Sequence, residues 1–478
     1  MSSIDRVALG RDDLLAAAAG LALTALAIAS AQHEGAQKTL ELMLGGATFV
    51  AVVVGFVRIP HVLVALTIGY FTILPALKVF VTPRLGATKD VVSLAAAAAA
   101  GVLYIERRRA PNARPIELRL IVPIGFLLAF YVVNLGGALS GETGHGIAWF
   151  HGVRLFAEPL VLFVVAAMLR NPRRTLQWGV TALVAACLVN ALYGLVQQAM
   201  GLQRLLAAGY TYGEQVRQIS GHLRSFGTLD EPFAYAGFLL LGLAALLLWS
   251  RWRRSTWLIF VVLAAGIAVS YVRTAAVVIV SLFALALARR GRGRYAVLLM
   301  LIAVVAAVTA FAIASQKTAT RSVRLNSTTY LTLNGRANIW RATLRSPSNW
   351  IFGRGVGATG TASQRATESL LGGSQRPRGG TVADSSYFVL IADVGLAGLA
   401  VLLGFFAGLL RSAAAAARAG ERAAWLGAGL GVVTLLDAVT RESFTAFPTA
   451  YCAMLLMGLA YAVWQHGRAE RSSAAPLR

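Results

Sequence analysis

Apolar runs of about 17–25 residues recur along this chain between short basic loops, and that alternation leaves few folds open. Hydrocarbon offers no water to the backbone, so a run of this length is read as a membrane-spanning helix. Roughly fourteen such runs occur, near 14–30, 42–57, 60–81, 91–105, 118–138, 153–169, 176–199, 232–249, 256–271, 274–289, 295–315, 385–410, 423–440 and 447–465. The first, second, fourth and ninth are short, so the expectation is an all-α polytopic integral membrane protein of about 12–14 helices. One membrane domain spans residues 1–478. A composition of 57% hydrophobic and 13% charged residues points the same way.

The loops supply the orientation. With a cytoplasmic N-terminus, the inner loops include 106–119 (ERRRAPNARPIELR), 170–174, 250–255, 289–294 and 411–422, each short and basic as the positive-inside rule requires. Both termini are then cytoplasmic, and loops 200–231 and 316–384 lie on the outer side. Seven of the nine tryptophans (Trp149, Trp178, Trp249, Trp252, Trp257, Trp425 and Trp464) fall near predicted span ends, where an amphipathic ring prefers to sit. Ala29-Ser30-Ala31 before Gln32 has the look of a signal-peptidase site. The preceding segment mixes Arg6 and Arg11 with aspartates, so the first span is read as retained.

The net charge of +24 does not imply nucleic acid as a partner, because more than half of the basic residues are placed by topology. Cys187 and Cys452 lie inside apolar spans and suggest neither a disulfide framework nor a metal site, and no cofactor is implied. His145 and His151 lack metal-ligand partners at a useful spacing. Basic residues on the outer side, where no topological rule asks for them, are the informative ones. They include Arg204, Arg217, Arg224, Arg273, Arg336, Arg341 and Arg345, and they call for an anionic partner.

Four segments concentrate that signal. In 220–237 (SGHLRSFGTLDEPFAYAG), Asp230-Glu231-Pro232 reads as a helix start. Arg224 and Arg217 beside it are either solvated, in contact with lipid headgroups, or ligand-binding. Arg273 interrupts a long apolar stretch, so it occupies a tight outer turn facing a cavity or snorkels to headgroups. Between Gln316 and Asp384 lie ten lysines and arginines against two acids. Within that loop, Ile339, Trp340 and Leu344 share one face of a short amphipathic helix with Arg336 in its first turn and Arg341 and Arg345 on its polar side. The helix is either a plain surface element or an anion-binding one. FGRGVGATG (352–360) lacks the Lys-Ser/Thr of a P-loop and is expected to be a flexible turn. Finally, Asp384 heads the span at 385 either as an ordinary N-cap or as a general base, with Tyr387 one turn along to orient an acceptor.

Taken in order, R-x-F-G-x-x-x-x-P, an arginine at the next turn, G-R-x-x-x-W…G-x-G in a long outer loop, and a polar-polar-aromatic helix start with G-L-x-G resemble the O-antigen ligase and O-antigen polymerase superfamily. The resemblance covers about 220–400. It implies a GT-C-like, metal-independent glycosyltransferase in the bacterial inner membrane, acting on its outer face. The donor would be an undecaprenyl-diphosphate-linked oligosaccharide, the acceptor a glycan hydroxyl, and the surroundings membrane lipid. By the resemblance Arg224, Arg273 and Arg336 hold the donor diphosphate, Asp384 is the catalytic base, and Arg217, Arg341 and Tyr387 are further substrate contacts. The sequence departs from the family at Asp230-Glu231-Pro232, where N-P-N is usual, and at Asp384-Ser385, where a His-Asn pair is usual. The second departure favours a polymerase, or a ligase for another polysaccharide. A lipid-linked glycan flippase or a noncatalytic assembly component are the alternatives. The flippase would want its charges near the midplane, and the assembly component would tolerate loss of Asp384.

Overall fold

The computed structural model describes residues 36–109, 125, 145–213, 215–219, 221–229, 231–250, 254–295, 298, 345, 351, 353–363 and 385–474. Asp384, Arg336 and Arg341 lie outside the described residues, as does the amphipathic segment around Trp340. Most of what is described is helix: α1 (Ala36–Arg58), α2 (Pro60–Phe80), a 3-10 turn (Pro83–Ala87), α3 (Thr88–Arg109), α4 (His145–Met168) and α5 (Pro172–Ala207). A two-stranded hairpin follows, β1 (Arg217–Ile219) and β2 (His222–Arg224), antiparallel with Arg217 opposite Arg224. Then come α6 (Pro232–Leu248), α7 (Arg254–Ala268), α8 (Thr274–Arg289), α9 (Ser386–Arg418), α10 (Arg422–Asp437) and α11 (Thr449–Ala474). Five of these helices are long and apolar enough to cross a membrane, and α6, α7 and α8 are shorter apolar helices. The protein is an all-α, multi-pass membrane protein.

Two helices form the centre. Every residue of α6 from Ala234 to Leu248 is buried, and so is α11 from Thr449 to Trp464. Helices apolar on all sides belong inside a bundle, whereas those on its rim keep one face for lipid. On α5, for example, Trp178, Val189, Leu192 and Val196 point outward while Leu176, Leu183, Cys187 and Ala191 pack inward.

The apolar interior also holds charge. Lys89 Nζ lies 2.6 Å from Asp90 Oδ1 and 2.6 Å from Glu158 Oε2. Arg154 Nη1 reaches Asp90 Oδ2 at 2.9 Å, and the Tyr451 hydroxyl donates to Glu158. Two cations and two anions thus tie α3, α4 and α11 together. Buried charges are tolerated when each is paired and hydrogen-bonded, and removing one partner alone would strand the other.

Candidate functional site

The polar features of the protein converge where α2, α5, α6, α8, α9 and α10 meet the loops that charge pattern assigns to the outer side. The chain reaches this end through a break in α5. Gly201 has φ 73 and ψ 173, outside helical space, and the turn after it releases the segment that becomes β1 and β2. That segment has its own small core of Leu205, Tyr210, Val216, Leu223 and Phe226. Tyr210 stacks edge-on to both Phe80 and Phe226. Burial and the adjoining Tyr193 hydroxyl raise the Tyr210 phenol above its ordinary range, so it remains neutral.

From Ser225 to Leu229 the backbone is neither helix nor strand, yet it is largely buried between helices. Such backbone survives in a membrane protein only where the protein supplies its partners. Three amide side chains of α5 do so. Gln197 Oε1 accepts from the Phe226 and Gly227 N–H groups at 3.0 and 2.9 Å, and its Nε2 donates to the Gly227 carbonyl at 2.9 Å. Asn190 Oδ1 accepts from the Thr228 N–H at 2.9 Å, and Gln198 Nε2 donates to Ser225 Oγ at 2.8 Å. Gly227 has φ 61, and a Cβ there would lie 2.5 Å from Asn190 Oδ1. The turn therefore requires glycine on two counts, conformation and space.

This segment docks onto the turn between α7 and α8. The Ser225 N–H donates to Val269 O at 3.0 Å, and Arg224 Nε donates to Ser270 O at 2.9 Å. Ser270 Oγ closes the turn by donating to Ile267 O at 2.6 Å, and Tyr271 adopts φ 53. Arg224 is buried, and its guanidinium lies 4.5 Å from the centroid of the Phe233 ring on α6. Arg273 sits at the N-cap of α8, exposed, three residues beyond the carbonyl that Arg224 grips. Arg217 is on the strand opposite Arg224 and pairs with Glu231 at 3.6 Å, half-exposed. The helix start expected at Asp230-Glu231-Pro232 has Glu231 as N-cap, with no side-chain cap bond, and Pro232 in the first turn; Asp230 lies outside the described residues.

The other half of the site is the loop between α10 and α11. Ser386, the first residue of α9, donates its N–H to Ala438 O and to Arg441 O at 3.0 Å each. Its hydroxyl donates to Arg441 O at 3.0 Å and accepts from the Phe444 N–H at 3.2 Å. Ser385 Oγ donates to Ala438 O at 3.2 Å. The head of α9 is thus fixed against this loop, and Asp384 is the residue immediately before it. Thr440 and Thr274 hydroxyls meet at 3.2 Å, joining the loop to the first residue of α8 beside Arg273. Tyr387 does not present a free hydroxyl, since it donates to Leu435 O at 2.7 Å.

The glycine-rich segment expected to be a flexible turn is instead held in place. Asp393, buried on α9, accepts from the Gly357 and Thr359 N–H groups at 2.9 Å each and from the Thr359 hydroxyl at 2.7 Å. Glu442 accepts from the Thr361 N–H at 3.0 Å. These donors face the protein's own carboxylates and are not offered to a ligand. Sequence reading missed Asp393, Glu442, Asp437 and Arg441, and also the amides of α5. Ionisable residues inside or at the edge of apolar spans were the available signal. Among the described residues, no group of three His, Cys, Asp or Glu side chains is placed to hold a metal ion.

Residues 258–403 match the family described as O-antigen ligase. The match supports the O-antigen ligase and polymerase superfamily. It begins in α7 and ends in α9, so it takes in the Arg273 turn and the α9 head. It supports a membrane glycan ligase or polymerase type of function and a glycosyltransferase-like enzyme, with a lipid-linked glycan donor and a glycan acceptor. No curated protein matches the chain.

Proposed function

We propose that this protein transfers an oligosaccharide from undecaprenyl diphosphate to a hydroxyl of an acceptor glycan, with inversion and without a metal ion, on the outer face of the bacterial inner membrane. Both termini are cytoplasmic in this reading. The observation that carries it is the docking of Arg224 onto the turn that bears Arg273, which brings two arginines from separate segments to one end of the bundle. The superfamily match supports the same assignment.

The chemistry follows from charge. As the acceptor oxygen bonds to the anomeric carbon, the bond from that carbon to the diphosphate oxygen breaks and its electron pair leaves with the diphosphate. Arg224, Arg273 and Arg336 stabilise the departing anion through charge-assisted hydrogen bonds. Asp384 takes the proton of the attacking hydroxyl. Arg217 and Arg341 add positive potential around the donor, and Tyr387, whose hydroxyl donates to Leu435 O, buttresses the α9 head beside the acceptor.

The test is transfer by purified protein supplied with a lipid-diphosphate oligosaccharide in EDTA. Wild type is expected to build longer lipid-linked chains, and folded Asp384→Ala and Arg273→Ala to fail. If both variants match wild type, the reading is wrong and a transport or scaffold role replaces it.

A further inference from the structure

Arg441 is a buried cation whose hydrogen-bonding capacity is largely unused. It is 6% exposed, and among the described residues none of Nε, Nη1 and Nη2 has a hydrogen-bond partner. Nε lies 3.0 Å from Asp437 Oδ2, close enough for an ion pair but not aligned as a hydrogen bond. That same Asp437 oxygen accepts from the Ser443 hydroxyl at 2.6 Å. A guanidinium carries five N–H donors, and leaving them unpaired out of water is costly unless an acceptor arrives. The charge is therefore balanced, and the donors are not.

Its surroundings identify the acceptor. Arg441 packs against α6 at Gly237, where a Cβ would stand 3.0 Å from Nη1 and 3.0 Å from Asp437 Oδ2. Gly237 is four residues after Phe233, the residue on which Arg224 stacks, so the two positions share one face of α6 a single turn apart. Thr440, next to Arg441, meets Thr274, next to Arg273. Three arginines from three segments thus gather around the first turns of α6 and α8. The backbone carbonyl of Arg441 holds the head of α9, which Asp384 precedes in sequence.

Resting on the transferase reading, we propose that Arg441 is a further donor-binding residue, whose free guanidinium N–H groups take the phosphate oxygens of the lipid diphosphate alongside Arg224 and Arg273. Asp437 holds it in position, and Gly237 leaves the room it needs. A diphosphate, with its wider spread of oxygens, engages one arginine more than a monophosphate reaches.

The experiment is equilibrium binding of radiolabelled undecaprenyl diphosphate, and separately undecaprenyl monophosphate, to the purified full-length protein in detergent. Arg441→Gln is expected to weaken diphosphate binding by about ten- to hundredfold, the loss of one or two charge-assisted bonds. Monophosphate binding should change far less, a difference that a purely structural role would not produce. Asp437→Asn with Arg441→Gln removes both charges of the buried pair together, so it keeps the test open if the single variant does not fold. Arg441→Lys keeps the charge and loses the fork, and should fall between. Diphosphate binding by the folded double variant equal to wild type overturns the proposal. If that result comes while Arg224→Ala weakens binding, the transferase reading stands without Arg441. If wild type binds no lipid diphosphate at all, the transferase reading fails first.

Discussion

Two segments that are not part of the bundle helices lie largely buried at its loop end, 225–229 and 353–363, and they solve one problem in opposite ways. Each must satisfy backbone N–H groups without water. The first uses the neutral amide oxygens of Asn190 and Gln197, while Gln198 donates to the Leu223 carbonyl. The second uses the carboxylates of Asp393 and Glu442. The amides are uncharged and add no negative charge beside Arg224. The carboxylates fill the donors of the glycine-rich loop with negative charge. A site for an anion can be built on the first segment and not on the second, although the second is the one whose glycines resemble a phosphate loop.

That contrast can be broken by paired substitutions. The largest difference is expected between two arginines. Arg224→Ala should lower glycan transfer by about a hundredfold or more, the usual range for losing a charge-stabilising donor. Arg354→Ala, on the exposed side of the second segment, should leave the rate within about twofold, a surface change of this kind being nearly neutral. Equal losses in a single-turnover assay would erase the distinction.

Next in size is the fit of Gly227. Gly227→Val puts a branched side chain where even a Cβ is 2.5 Å from Asn190 Oδ1, at φ 61. It should cost about 2–4 kcal/mol of stability in detergent unfolding. Gly355→Ala is strained by its φ of 107 but meets nothing within 4 Å, so about 1 kcal/mol is expected there.

A third test exchanges the two clamps. Gln197→Glu keeps an acceptor for Phe226 and Gly227, loses the donation to Gly227 O, and brings a carboxylate into the segment that carries Arg224. Donor affinity should fall by roughly tenfold with increasing ionic strength making the gap smaller. Asp393→Ala leaves the N–H groups of Gly357 and Thr359 unpaired. Hydrogen exchange across 353–363 should speed up by an amount corresponding to about 1–3 kcal/mol, with donor affinity unchanged. The smallest effect is expected for Thr440→Val, which removes one hydroxyl contact of 3.2 Å to Thr274 and should cost under about 1 kcal/mol.

Much of the bundle was legible from hydropathy. The run at 274–289 coincides with α8 (Thr274–Arg289), and that at 60–81 with α2 (Pro60–Phe80). Ends were less so: the helix after the apolar run at 176–199 resumes beyond a break at Gly201 and ends at Ala207, and α9 runs on to Arg418 through the alanine-rich 413–417, where alanine favours helix. Arg224 and Arg273 stood out because charge beside apolar runs is conspicuous. Asn190 and Gln197 did not, since an uncharged amide hardly lowers the mean hydropathy of its span. Asp437 and Arg441 were hidden by position, at the rim of a run already assigned to a helix end.

The chain by itself determined that this is a helical membrane protein, roughly where its helices run, and which loop segments are rich in basic residues. Those properties depend on residues close together in sequence, since transfer into lipid is decided run by run. Only the tertiary structure decided which arginines share a site and which polar groups are already taken. Arg224 finds its carbonyl 46 residues away, and the Thr440 hydroxyl meets Thr274 across 166. Hydrogen bonding is short-ranged in space and indifferent to distance along the chain, so pairing appears only once the helices are packed.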